Sequence, residues 1–178
     1  VFRKANVDIT KLNEEDITFT LAPRINAASR MDSPMRAFEM MATKDIVEAK
    51  TLADHLLKIN DERKYLVAQI MKEVKKTLAK KEPKEIIVIG NPKWRIGVLG
   101  IVASKIAEEH KKPTFVWGND GSDEIRGSCR SWGGMNLVEL MSALPENSLM
   151  EFGGHVGAGG FAVSHEEIHF LEERLLSA

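Results

Sequence analysis

Most of the residues able to do chemistry lie in the last third of the chain. His165-Glu166-Glu167-Ile168-His169 has the H-E-x-x-H spacing that puts two imidazoles on one helix face in zinc peptidases, with the glutamate as general base. Nine residues follow His169 and none offers a Gly-x-x-His, so a third ligand would have to come from elsewhere. Ser164 and Glu167 form a capping-box pair, with Ile168, Leu171 and Leu175 as the buried stripe. A helix start therefore accounts for the same residues without a metal. Asp54-His55 has ligand types suited to manganese or iron. It lies mid-helix with no neighbouring carboxylate or imidazole in sequence and is read as a solvated helix face. Gly157 to Ala162 fits G-x-G-x-x-A, but 16 residues remain after it, too few for the acidic partner expected about 20 residues on. The chain has no Gly-Lys-Ser or Gly-Lys-Thr, so it has no P-loop.

Four segments point to an anion. Phe152 to Gly160 is glycine-rich and carries His155. Glycines let backbone N–H groups close around an anion as a nest, and a histidine there donates to phosphate or shuttles a proton; a glycine-rich turn with an exposed histidine is the plainer reading. Arg126, Ser128, Arg130 and Ser131 place two guanidinium groups and two hydroxyls at a strand end, either as phosphate contacts or as ordinary edge polarity. Arg24, Asn26 and Arg30 stand in an alanine-rich stretch of helical spacing, where surface arginines near a cap are the alternative. Trp94-Arg95 precedes Gly97-Val98-Leu99-Gly100, a loop opening onto a helix N-terminus that favours an anion, unless Trp94 simply packs.

The elements that must position these residues fall into two textures. Residues 1–82 contain no glycine and only Pro23 and Pro34, whereas all 13 glycines lie from Gly90 onward. Ser33-Pro34 opens a short helix to about Met41. From Thr43–Asp45, apolar residues recur at three- and four-residue steps through Ala49, Leu52, Ala53, Leu56, Ile59, Leu66, Ile70, Val74 and Leu78, with Arg63 in the same register. No breaker intervenes before Pro83, so the spacing predicts a connecting helix about 55 Å long. Residues 85–90 and 113–117 are β-branched runs expected to be strands. Residues 97–110 form an amphipathic helix with Ile101, Val102 and Ile106 inward. A turn at 118–121, a strand over 124–132, a helix over 136–143, a short strand at 161–163 and a helix from Ser164 complete an α/β layer fold.

Composition limits the partners. The 178 residues carry 25 Lys+Arg against 26 Asp+Glu, 43% hydrophobic residues and no apolar run of membrane-spanning length. Residues 1–82 hold 16 basic and 13 acidic side chains and residues 83–178 hold 9 and 13, so neither half is a polycation. Any polyanion must be gripped by a few placed side chains and backbone amides. The single cysteine, Cys129, excludes an internal disulfide framework and fits a cytoplasmic location. The start Val1-Phe2-Arg3 reads as a piece of a longer protein.

These motifs, in this order, resemble a known family. Leu21 to Arg30 resembles the PRLNAAGR segment of RecJ-type single-stranded-DNA exonucleases, and Trp94 to Ser104 their W-x-x-G-V-x-G-I-V-A-S segment. Gly127 to Ser131 is similar to their GSGRS, and Gly153-Gly154-His155 matches the GGH of the DHHA1 domain in the DHH phosphoesterase superfamily. The resemblance implies that residues 1–44 are the end of a DHH domain, 45–82 an interdomain helix and 83–178 a DHHA1 substrate-binding domain with a mixed sheet flanked by helices. It implies a 5′–3′ single-stranded-DNA exonuclease whose DHH domain, mostly outside this chain, holds Mn2+ or Mg2+ and activates water for attack on a phosphodiester. The chain itself is expected to hold no metal and to hydrolyse nothing alone.

The resemblance also carries roles to individual residues. His155 becomes the phosphate ligand at the reacting centre, on a loop shaped by Gly153 and Gly154. Arg126, Ser128, Arg130, Ser131, Trp94 and Arg95 become nucleic-acid contacts, and Arg24, Asn26 and Arg30 lie near the domain interface. Ser29 and Cys129 stand where the family has glycine, and Arg95-Ile96 where many relatives have His-Pro. The implied partners are single-stranded DNA or another nucleic acid, the chain's own DHH domain, and repair or replication proteins, with no membrane. A DHH-type phosphodiesterase for short oligonucleotides or cyclic dinucleotides, and a non-catalytic replication or repair scaffold, are the competing readings. The segment from Arg24 to Arg30 counts against the first, and retention of His155 and Arg130 against the second.

Overall fold

The computed structural model describes residues 1–80 and 84–178. They form two compact units, Val1–Leu66 and Val67–Ala178, with the division inside one long helix. In the first unit a short 3-10 turn, Arg3–Ala5, precedes α1 (Glu14–Asp16), a π-helical turn (Ile17–Leu21), α2 (Ala22–Met31) and α3 (Pro34–Ala42). The Ser33 hydroxyl caps α3 by accepting from the Met35 N–H, with Pro34 at its first turn, where the missing N–H costs nothing. Asp45 starts α4 (Ile46–Leu78) by accepting from the N–H groups of Val47 and Glu48. The helix is about 50 Å long. Its expected stripe is realised, with Leu52, Ala53, Leu56, Ile59, Ile70 and Val74 buried. The expected end at residue 82 and the Pro83 breaker lie outside the described residues.

Asp54 and His55 are better partnered than the sequence suggested. Lys4 pairs with Asp54, and His55 Nε2 lies 2.7 Å from Asp32 Oδ2. The hydrogen bond to His55 holds the Asp32 carboxyl below its ordinary value. The pair is thus a tie between α4 and the end of α2, which sequence separation had concealed.

The second unit is built on a five-stranded mixed sheet of order β1-β2-β3-β5-β4, comprising β1 (Ile87–Gly90), β2 (Thr114–Gly118), β3 (Ile125–Arg130), β4 (Glu151–His155) and β5 (Ala158–Val163). Only β1 and β2 are parallel, joined through α5 (Ile96–His110); the other neighbours are antiparallel. One face carries α5, whose Val98, Leu99, Val102, Ala103 and Ile106 are buried. The other carries a core of Phe115, Cys129, Phe161, Leu137 and Met141, with Leu171 and Leu175 from the C-terminal helix. That core includes α6 (Leu137–Ser142), capped by Asn136, and α7 (Leu171–Ser177). Among the described residues no helix is long and apolar enough to cross a membrane.

Two expectations are corrected here. The glycine-rich run is no nest-forming loop: it is a β-hairpin, Glu151–His155 paired with Ala158–Val163. Two of its glycines, Gly154 and Gly159, serve close strand packing. A methyl on Gly159 would stand 2.9 Å from the Gly153 carbonyl oxygen and 3.0 Å from Cys129 Sγ, and one on Gly127 would enter the Phe161 ring. The H-E-x-x-H spacing is not on one α-helical face either. Residues Glu167–His169 form a 3-10 turn before α7, and His165 Nε2 faces the Asn119 amide at 3.4 Å. Ser164 accepts from the Glu167 N–H at 3.1 Å, but the Glu167 carboxylate turns to Arg174, so half of the expected capping box forms.

Cys129, one of the family departures, lies under the sheet on the α6 side, fully buried. Burial pushes its thiol up to about 11. The folded state therefore favours the neutral thiol, and this contribution to stability is complete below the unfolded thiol's value near 8.5 and vanishes as pH climbs through 11. Denaturant melts at pH 8 and pH 11 are expected to show a loss of about 2–3 kcal/mol in the protein beyond that in Cys129→Ala. Equal losses in the two would mean the thiol ionises as readily folded as unfolded.

Candidate nucleic-acid interface

Directly paired residues in antiparallel strands point to the same side of a sheet. The register therefore sets out rows across β3, β5 and β4: Arg130, Ala158 and His155 in one, and Ser128, Gly160 and Gly153 in the next. These rows face the α5 side, because a methyl on Gly100 of α5 would lie 2.9 Å from Arg130 Nη2 and 3.6 Å from Ser128 Oγ. Helix α5 packs over β2 and β3 and leaves β5 and β4 beyond it. Gly160 and the whole of β4 are exposed. A methyl on Gly153 would meet nothing within 4 Å, and one on Gly160 only a carbonyl oxygen at 3.6 Å.

The result is a floor of Ala158, Gly160 and Gly153, with Arg130 and Ser128 along the α5 side and His155 on the edge strand. Arg130 and His155 stand two strands apart, about 10 Å between backbones. A phosphate chain can lie on such a floor because nothing larger than the Ala158 methyl rises from it.

Arg130 is held before any ligand arrives. Its Nε donates to Ser104 Oγ at 3.1 Å and its Nη1 to the Cys129 carbonyl at 2.7 Å. Ser104 in turn donates to the Gly100 carbonyl at 3.0 Å. Gly100 and Ser104, one helical turn apart on α5, thus make a seat for the guanidinium, and no reading of the residue types had assigned them that part. The available signal was their i, i+4 spacing on the helix that follows β1. His155 Nδ1 accepts the Gly157 N–H at 3.2 Å, which leaves the proton of the neutral ring on Nε2 as a donor.

The other expected contacts have different surroundings. Trp94 is 5% exposed and donates its indole N–H to Glu73 at 2.9 Å, so it is no stacking surface. It shapes the loop before α5: Gly118 is required there because a methyl would sit 2.2 Å from the Trp94 carbonyl oxygen. Ser131 uses its N–H on the Gly157 carbonyl and its hydroxyl proton on Met135, so it pins the hairpin and its donors are engaged within the protein. Arg126 is exposed and ion-paired with Glu124 at 3.3 Å. Arg95 is exposed at the N-cap of α5, one turn before Gly100.

In the first unit, α2 separates the remaining three. Asn26 and Arg30 share an exposed face, whereas Arg24 shares the side of buried Ala27, Ala28 and Met31 and donates to the Thr20 carbonyl. Ser29, the other departure, is exposed and donates to the Asn26 carbonyl at 3.1 Å. Among the described residues no group of three or more His, Cys, Asp or Glu converges as metal ligands. The guanidinium, imidazole and hydroxyl donors of the sheet face can bind and orient an anion chain.

Comparison with known proteins identifies the family and the fold. The DHHA1 domain family matches residues 57–177. The single-stranded-DNA-specific exonuclease RecJ of Bacillus subtilis is 35% identical over 170 residues, covering 94% of this chain and 22% of the relative. The same-named enzyme of Escherichia coli is 30% identical over 178 residues, covering 96% and 31%. A crystal structure of exonuclease RecJ bound to manganese superposes with a TM-score of 0.81 at 31% identity, over 93% of this chain and 41% of that one. RecJ from Thermus thermophilus in complex with Mg2+ gives 0.80 at 31% identity, over 92% and 25%. The chain thus spans well under half the length of these relatives.

Proposed function

The chain belongs to the DHHA1 domain family, and from that membership we propose that it is the strand-binding part of a RecJ-like 5′–3′ single-stranded-DNA exonuclease. In this reading residues 1–44 complete a metal-bearing DHH domain, 45–82 are the interdomain helix and 83–178 are the substrate domain. Mn2+ or Mg2+ on the DHH domain supplies the activated water. Residues of this chain bind the strand, orient it and exclude water from it. Arg130 and Ser128 hold the phosphate chain from the α5 side, Arg95 and the α5 N-terminus extend that grip, and His155 donates from Nε2 to the phosphate nearest the reacting centre. Gly153 keeps the approach to His155 flat, and Gly154 permits the close β4–β5 pairing that carries His155. The enzyme works in the reducing cytoplasm, in DNA repair.

The observation that supports this most is the row of Arg130, Ala158 and His155 flanking a side-chain-free floor at Gly160 and Gly153. Three basic groups, Arg95, Arg126 and Arg130, serve it, and each phosphate neutralised on a single strand adds about −0.7 to the slope of log affinity against log salt. Anisotropy titration of the 178-residue chain with a labelled oligonucleotide is expected to show single-strand preference and a slope of about −2. A slope near −7 would point to a diffuse basic surface and sink the placed-arginine account. Release of nucleotides by the chain alone with manganese would overturn the assignment of hydrolysis to another domain.

A further inference from the structure

The three tryptophans have different environments. Trp94 is buried and hydrogen-bonded to Glu73, and Trp117 is half-buried against the core under the sheet. Trp132 is 40% exposed, although it follows directly on Arg130 and Ser131. A partly exposed indole presents a flat apolar face to a partner.

The loop that bears it is pinned at both ends. Ser131 ties to Gly157 and Met135 at one end, and at the other the Leu137 N–H donates to the Val156 carbonyl at 3.2 Å. Between these ties Gly133 and Gly134 adopt φ of +69° and +84°, and a methyl on either would meet nothing within 4 Å. The crest of the loop is open, and no acidic residue occurs from Gly127 to Val138 to repel a phosphate chain. Met135 and Val156, beside the two ties, are exposed as well. Trp132 follows Arg130 by two residues, at most about 7 Å of extended backbone.

We propose that Trp132 is a stacking surface for a nucleobase of the strand whose phosphates lie between Arg130 and His155. Single-stranded nucleic acids are generally held by a charged track for the backbone with aromatic faces for the bases. The floor supplies the track and Trp132 the face. The inference rests on the strand-binding reading and adds to it the base contact that a floor of glycine and alanine cannot provide. Because every base presents a π-face, the contact adds affinity without reading sequence.

The test uses the 178-residue chain with oligo-dT and with an abasic phosphodiester strand of equal length. Binding of oligo-dT is expected to quench tryptophan emission. Trp132→Ala is expected to weaken oligo-dT binding about tenfold or more, to remove the quenching and to leave the melting temperature unchanged, while Trp132→Phe retains most of the affinity. On the abasic strand the protein and Trp132→Ala should bind alike. Equal binding of oligo-dT by the two, or an equal loss on the abasic strand, would overturn the stacking role and leave the strand-binding reading in place. Failure of the unsubstituted chain to bind either strand would overturn both.

Discussion

Replacing Arg130 with alanine is expected to lower the affinity of the chain for a single-stranded oligonucleotide by about 10- to 100-fold. The magnitude follows from what the side chain is and how it is held. A hydrogen bond to an ionised group contributes about 1.5–3 kcal/mol, and a guanidinium can make two in parallel to one phosphate. Ser104 and the Cys129 carbonyl already fix its plane, so little rotamer freedom is lost on binding. Lysine at the same position keeps the charge but not the planar fork or the bond to Ser104. Arg130→Lys is therefore expected to keep the salt slope and recover only part of the affinity, while Arg130→Ala flattens the slope by about 0.7. Titration at several salt concentrations reads both quantities. Unaltered affinity in Arg130→Ala would remove the centre of the proposed interface.

How far this interface was legible depended on whether side-chain pattern or chain pairing carried the information. Helix α4 was legible because Leu52, Leu56, Ile59, Ile70 and Val74 repeat at helical steps, and burial follows that repeat directly. The strands β1, β2 and β3 were legible from β-branched or alternating residues. Strand β4 was not. A strand reveals itself by alternation of buried and exposed side chains, and β4 is exposed at all five positions, two of them glycine. A loop and an edge strand look alike when no side chain is buried. The partner of Trp94 was equally hidden, since Glu73 lies 21 residues earlier across a helix end and the undescribed residues. The motif residues Arg130 and His155 were identifiable by type, but only the sheet register sets them on one face. Cys129, standing where the family has glycine, lies on the opposite face from the floor.

The two adjacent glycines of the GGH motif should respond in opposite ways. Gly154 has φ of +146°, and a methyl there would stand 2.3 Å from the Ala158 carbonyl oxygen. Neither strain can relax without parting β4 from β5. Gly154→Ala is therefore expected to destabilise the hairpin by about 3 kcal/mol and to weaken binding as a consequence, with His155 losing its position. Gly153 is different: its φ is ordinary and the methyl would enter open space. Gly153→Ala should leave stability unchanged or raise it slightly, by about 0.5 kcal/mol through a less free unfolded chain. Yet its methyl would rise from the floor on the side shared with Arg130 and His155, where the phosphate chain must lie. Binding should fall several-fold with no loss of stability. Denaturant melts and oligonucleotide titrations on the two variants separate the cases. If Gly153→Ala binds as well as the unsubstituted chain, the floor between Arg130 and His155 is not where the strand runs, and the pair must grip it from some other direction. A loss of binding without a loss of stability at Gly153 has no source in the fold, because that methyl touches nothing in the protein. Only a ligand on the floor accounts for it.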